Sequence, residues 1–262
     1  MTKEITLPTD ITPVDMVDVV AKIVASHTIA DAWSALTDAM AHYGFDRLFY
    51  GYTRFNTKNS IGDRDDLLLL SSMPEAYIQK YIANDMYTDA PMTRWARENV
   101  GAMSWSWIGK NRDKLDAKQV KVLEFNQSFG LLAGYTIAFK DAQTRHKGAI
   151  ALAARSGLTQ DEVDHVWATY GKEINALNQV AHLKFSSLPV PRKVSKLSDR
   201  QREVLEWVGD GKTMQDIATI LDLTRATVEK HLKNARDALG VETTAQAVHK
   251  AAILNQIFVV ET

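Results

Sequence analysis

The chain has no cysteine in its 262 residues. That excludes a disulfide framework, thiol nucleophiles and cysteine-bound zinc. Charge of neither sign dominates: 31 Lys and Arg stand against 32 Asp and Glu, a net charge of −1, so no polyelectrolyte surface is expected. Long apolar runs are missing as well, and none approaches the roughly 20 residues a membrane helix needs. The opening MTKEITLPTDITPVD carries acidic groups and no apolar stretch of the kind a secretory leader has; the chain reads as soluble and cytoplasmic. The seven histidines, at positions 27, 42, 146, 165, 182, 231 and 249, never fall at HxH or HExxH spacing, so no helix face offers a metal two ligands. A GxSxG elbow is absent, and GLTQDE supplies no phosphate loop. Neither an enzyme nor a cofactor is expected.

What the chain does have is an apolar fraction of 45%, enough for two modest domains. They are separated by LKFSSLPVPRKVSK, where Pro189 and Pro191 stand among serines and basic residues with no periodicity. This predicts a first domain over 1–185, a linker over 186–195 and a second domain over 196–262.

The second domain is the more explicit. Ser198 and Gln201 fit a capping box, followed by Val204, Leu205 and Val208, with Gly209 and Gly211 as stops. Thr213 opens a second helix with the apolar set Ile217, Ala218, Ile220 and Leu221. Only Asp222 and Leu223 lie between it and Thr224, the cap of a third helix, so the two must cross steeply. In that third helix Val228, Leu232, Ala235 and Leu239 form one apolar stripe, closed by Gly240. Thr243 or Thr244 opens a fourth helix. From Lys196 onward nine Lys or Arg face ten Asp or Glu, but Arg225, Lys230, Lys233 and Arg236 gather on the third helix against only Glu229 and Asp237. Contact with phosphates needs local charge, not a global excess. The layout predicts an all-α helix-turn-helix bundle that reads double-stranded DNA.

The first domain mixes periods. Met16 to His42 reads as helix; Phe45–Phe55 alternates as a strand, and Leu67–Leu70 reads as a buried strand within 65–73. Helices are predicted over 74–84, 91–98, 117–129 and 160–183, and a hairpin from 134–139 and 149–154. The whole is therefore α+β: an N-terminal α/β/α sandwich with an antiparallel sheet, then the helical bundle. Tyr77, Tyr81, Tyr87, Trp95, Trp105 and Trp107 crowd the middle of the first domain. Such aromatics are core by default, although buried phenol and indole donors need partners and a cavity among them would suit an amphiphilic ligand.

The second domain closely resembles the DNA-binding domain of the LuxR/FixJ regulators in Leu197-Ser198, Gln201, Gly211-Lys212-Thr213, Asp216-Ile217-Ala218 and Thr227-Val228. The resemblance implies that the third helix enters the major groove. Glu229 and Lys233 would then reach base edges, while Thr224, Arg225, Thr227, Lys230 and Arg236 hold phosphates. The first domain resembles the autoinducer-binding domain of LuxR-type quorum-sensing regulators in Tyr77-IQK-Tyr81, Asp89-Ala90-Pro91, Trp105, and Phe129-Gly130 with Gly134. Carried over from that family, Tyr77 donates to a lactone carbonyl and Tyr81 to an amide carbonyl of an N-acyl-homoserine lactone. Asp89 accepts its amide N–H, Trp105 walls the ring, and Met73 and Leu123 line the pocket. The chain departs from the family where Tyr77 replaces a tryptophan. It departs again at Ala90: aligned on Pro91, Ala90 takes the aspartate's place, and Asp89 serves only through a local shift. The resemblance implies a homodimer on a palindromic site. The alternative it leaves is a solo regulator that acts without ligand, on a non-lactone signal, or by pairing with another regulator. A phosphorylated receiver domain is disfavoured: Asp63, Asp65 and Asp66 form an acidic group but sit before an apolar run, and the aromatics from Tyr77 to Trp105 have no role in one.

Overall fold

The computed structural model describes residues 7–58, 60–189 and 197–259. The chain divides into two compact units at Ser186/Ser187. Of the segment read as a linker, residues 190–195 lie outside the described residues, and Ser186 and Ser187 still belong to a helix.

The first unit is a five-stranded antiparallel sheet of order β2-β1-β5-β4-β3. Its strands are β1 (Phe45–Thr53), β2 (Leu68–Ser71), β3 (Gly101–Ser104), β4 (Gly134–Ala138) and β5 (Lys147–Ala154). Alternation along β1 sorts the layers. Tyr50 points to one face, where its ring packs edge-on against Phe185 at 5.1 Å; Phe49 points to the other and meets Tyr81 edge-on at 5.4 Å. Phe185 belongs to the long helix α8 (Gln160–Ser187), which lies over the first face with α1 (Met16–Ala25) and α2 (Ile29–His42). Tyr81 belongs to α3 (Glu75–Ala83), on the second face with α4 (Met86–Asp89), α5 (Pro91–Glu98), α6 (Ser106–Lys110) and α7 (Ala117–Ser128). The three layers are those the sequence predicts.

The α8 face is an apolar core that also holds a buried polar network. His182, fully buried, sets Nε2 at 3.2 Å from Asp141 Oδ1 and Nδ1 at 2.9 Å from the Tyr50 hydroxyl. With Nε2 donating to the carboxylate, Nδ1 accepts the phenol proton. Its ring stacks on Phe139 at 4.1 Å.

Three local expectations change. The first helix is broken: Ser26 turns extended after α1, and its hydroxyl donates back to the carbonyl of Lys22, an alternative to the helical ladder that serine offers readily. The leucine run is not a buried central strand. β2 is a four-residue edge strand, half-buried throughout, and its apolar side chains are explained by the cavity described below. β3, whose GAMS has no alternation to read, forms because β4 presents a free edge to it.

The second unit holds α9 (Asp199–Gly209), α10 (Met214–Ile220), α11 (Arg225–Leu239) and α12 (Thr244–Ile253). Its helices start where the caps say. Ser198–Gln201, Thr213–Asp216 and Thr243–Gln246 are reciprocal capping boxes, and Thr224 caps α11. Gly240 ends α11 at φ +64°, and Asp222 makes the α10–α11 turn at φ +52°, a conformation that aspartate tolerates better than most side chains. Val228, Leu232, Ala235 and Leu239 are buried against Val204, Leu205, Ile217 and Ala247. Burial of each larger side chain contributes about 2 kcal/mol. Ile220, counted above with the apolar set, is 45% exposed instead.

Candidate ligand cavity and DNA-reading surface

Between the sheet and α3–α7 lies a cavity of about 390 Å³, within the usual range for small-molecule sites. Its apolar walls come from alternate residues of several elements, among them Phe49, Leu67, Leu69, Met73, Leu123 and Leu131. The leucines at 67 and 69 thus face a cavity rather than a solid core. Met73, buried, and Leu123, half-buried, both line the cavity.

The polar groups of the lining converge from α3, α7, β4 and the start of α6. Tyr77 and Tyr81, one helical turn apart on α3, stack at 4.9 Å, and Phe125 and Phe129 of the α7 end pack on Tyr77 at 5.1 and 5.3 Å. The Tyr77 hydroxyl donates to Asn126 Oδ1 at 2.9 Å. Burial, reinforced for Tyr77 by its neighbour Tyr81, holds both phenols well above their usual range, so both remain protonated donors at any physiological pH. Tyr87, beside them, is pushed up to about 12 by burial and by its bond to Asp85.

Trp105 enters from the start of α6. Its Nε1 donates to Thr136 Oγ1 at 2.9 Å, and its backbone N–H donates to the Gly134 carbonyl at 3.0 Å. Gly134 has a steric reason to be glycine. A Cβ there would stand 2.3 Å from the Leu152 carbonyl oxygen and 3.1 Å from the Trp105 ring. The glycine lets the indole come close to β4.

Asp89 is not where the resemblance places it. It ends α4 with its side chain outside the cavity, paired to Arg94 at 3.0 Å; Arg94 in turn reaches Asp116, the α7 cap, at 2.7 Å. Ala90, buried, lines the cavity in its stead. The cause is the phase of the chain: Pro91 starts α5, the residue before a proline is extended, and that residue is Ala90, so the inward position falls one residue after the aspartate. Asn126 and Thr136, which hold the Tyr77 and Trp105 donors, were not singled out from the sequence. The one signal was an amide among the apolar positions Val122, Phe125 and Phe129 of α7.

On the second unit, Thr224, Arg225, Glu229, Lys230 and Lys233 are exposed along α11, while Thr227 and Arg236 are half-buried. Arg225, Glu229 and Lys233 recur every four residues, one stripe beside the buried one. Thr224 is spent partly as a cap, accepting from the Thr227 amide at 3.1 Å, and its hydroxyl bonds the Thr227 hydroxyl at 2.8 Å. Arg236 gives Nη1 to Thr244 Oγ1 at 3.1 Å, which holds its guanidinium beside the start of α12 with further N–H groups to donate. The face carries three exposed cations, Arg225, Lys230 and Lys233, with half-buried Arg236, against Glu229 and Asp237. Among the described residues no helix is long and apolar enough to cross a membrane.

Comparison with known proteins agrees with both halves of this geometry. The model of the autoinducer binding domain matches residues 28–185, and that of the luxR family of bacterial regulatory proteins matches residues 195–251. The transcriptional activator BjaR1 of Bradyrhizobium diazoefficiens is 24% identical over 226 residues, which span 84% of this chain and 86% of its own. The transcriptional activator EsaR of Pantoea stewartii is 26% identical over 233 residues, 79% of this chain and 85% of its own. Among solved structures, SdiA of Escherichia coli superposes over 93% of this chain and 98% of its own, with TM-score 0.51 and 18% identity. SdiA in complex with octanoyl-rac-glycerol superposes over 93% of this chain and 97% of its own, with TM-score 0.50 and 17% identity. At such identity the structures speak for the fold alone; the matched domains carry the rest. The chain belongs to the LuxR-type quorum-sensing regulators, transcription factors that join an autoinducer-binding domain to a helix-turn-helix DNA-binding domain, a family of regulators and not of enzymes.

Proposed function

We propose that this regulator takes an N-acyl-homoserine lactone into the cavity of its first unit and answers by changing its occupancy of a palindromic promoter site, which it binds as a homodimer in the cytoplasm. The observation that carries the reading is the cavity itself: apolar walls from β1, β2, α3 and α7 around a small set of protonated donors. An acyl chain fits the walls, with Met73 and Leu123 against it. The head group fits these groups, with Tyr77 and Tyr81 toward the carbonyls, Tyr77 by exchanging its bond to Asn126 Oδ1 for one to the ligand, and with Trp105 against the ring. That the related SdiA is known in complex with octanoyl-rac-glycerol supports an acyl amphiphile in this fold. On DNA, Glu229 and Lys233 read base edges, and Thr224, Arg225, Thr227, Lys230 and Arg236 meet phosphates; two such helices in a dimer lie about 34 Å apart.

Ligand burial stabilises only the folded state. Saturation at a hundredfold excess over Kd adds about 2.7 kcal/mol. Thermal melting of the full chain against N-acyl-homoserine lactones of graded chain length should therefore show a clear rise for one length. A flat response across the series would overturn the lactone reading in favour of the solo regulator.

A further inference from the structure

The cavity's hydrogen-bonding inventory is one-sided. Among the described residues that line it there is no aspartate or glutamate, while Arg97, Arg112 and Lys147 do line it. The nearest carboxylate discussed above, Asp89, is held outside by Arg94, which Asp116 anchors from the other side. Three of the neutral acceptors of the lining are already engaged by protein donors. Asn126 Oδ1 takes the Tyr77 phenol, Thr136 Oγ1 takes the Trp105 indole, and Gln160 Oε1 takes the Gly134 amide at 2.9 Å. Even the carbonyl of Ala90, at the inward position, accepts from the Arg94 amide at 3.1 Å. What these pairs leave over are protons: the hydroxyl of Thr136, whose oxygen has accepted the indole N–H, and the amide N–H₂ of Asn126.

We propose that the cavity recognises its ligand chiefly through the ligand's acceptor oxygens, with no charged acceptor for an N–H, and that an ester-linked acyl amphiphile, with no N–H at the junction of chain and head group, is its ligand class as much as an N-acyl one. A ligand oxygen finds waiting donors. A ligand N–H finds no carboxylate, only neutral oxygens, and a hydrogen bond to a neutral acceptor is weaker than one to a charged acceptor. The inference rests on the proposal that the cavity is the signal site, and it concerns which junction that site accepts.

The test is a matched pair: N-octanoyl-homoserine lactone and its ester counterpart, α-octanoyloxy-γ-butyrolactone, titrated calorimetrically into the full-length protein. The ester is expected to bind as tightly as the amide, within about threefold, because no charge-assisted bond to the N–H is lost. An amide preference of about tenfold or more, the scale of one hydrogen bond to a charged acceptor, would overturn the inference while leaving the cavity as the signal site. Binding of neither compound, nor of 1-octanoylglycerol, would overturn the signal-site reading and this inference with it.

Two variants sharpen the result. Ala90→Asp supplies the missing acceptor and should turn parity into an amide preference of about tenfold. Asp89→Ala, which leaves the lining intact, should keep the parity of the unaltered chain; a selective loss of amide affinity in that variant would overturn the inference even if Ala90→Asp fails to fold.

Discussion

The two units put their functional side chains on opposite sides of their cores. On α11 most of the groups assigned to DNA are exposed, Thr227 and Arg236 being half-buried, and the stripe that holds the helix in place is a separate set, Val228, Leu232, Ala235 and Leu239. In the first unit Tyr77 and Tyr81 belong to the core: both are buried, stacked on each other and packed against Phe125. Function and stability are therefore separable in the second unit and coupled in the first. A signal that binds by completing a core acts on folding; a surface that meets phosphates does not.

The strongest way to expose that coupling is Gly134→Ala. The added methyl meets a backbone oxygen and the Trp105 ring, and overpacking of this kind costs about 3 kcal/mol. Melting of the ligand-free protein should fall sharply and the ligand-induced rise should vanish; an unshifted melt would show that Trp105 is not held as described. Next comes Tyr77→Phe, which leaves Asn126 Oδ1 without its donor and should cost about 2 kcal/mol in the free protein together with ligand affinity. A loss of affinity at unchanged stability would place Tyr77 outside the core network. Tyr81→Phe should likewise weaken the ligand, and an unaltered dissociation constant would remove Tyr81 from the site.

The converse case is Lys233→Ala. It should weaken DNA binding by about tenfold with the melt unchanged, since Lys233 is exposed. Equal affinity would mean that α11 does not face the groove. The smallest effects belong to the caps. Thr213→Ala removes a reciprocal box and should cost about 1 kcal/mol. It also carries a pH signature. The Thr213 hydroxyl and amide hold the Asp216 carboxyl below its ordinary value. That interaction stabilises the fold at pH above the ordinary carboxylate range near 4 and is lost as pH falls through the lowered value. The variant should therefore lose less stability on acidification than the unaltered chain does.

The same contrast explains what could be read from the sequence. The second unit is built from local signals, and Ser198, Thr213, Thr224 and Gly240 mark their helix ends because capping is a matter of three or four neighbouring residues. The exposure of Ile220 was not legible, since seven residues of α10 leave its facing to the packing of other helices. In the first unit the long periodic elements were legible, while the break at Ser26 and the strand at Gly101–Ser104 depend on partners distant in sequence. Asp89 is the telling case. The resemblance turns it toward the ligand only through a shift of one residue, and the side chain on the one-turn helix α4 follows Arg94 instead and through it Asp116, a contact across 22 residues and more. The inward residue is Ala90, fixed by the proline after it.

The measurement that tests the account most directly joins the two units: fluorescence anisotropy of a labelled palindromic DNA titrated with the full-length protein, at one fixed salt concentration, without ligand and at saturation with the lactone that raises the melting temperature most. The account predicts that DNA affinity shifts by about tenfold, the ordinary scale of allosteric coupling. Identical binding curves with the cavity demonstrably filled would contradict it.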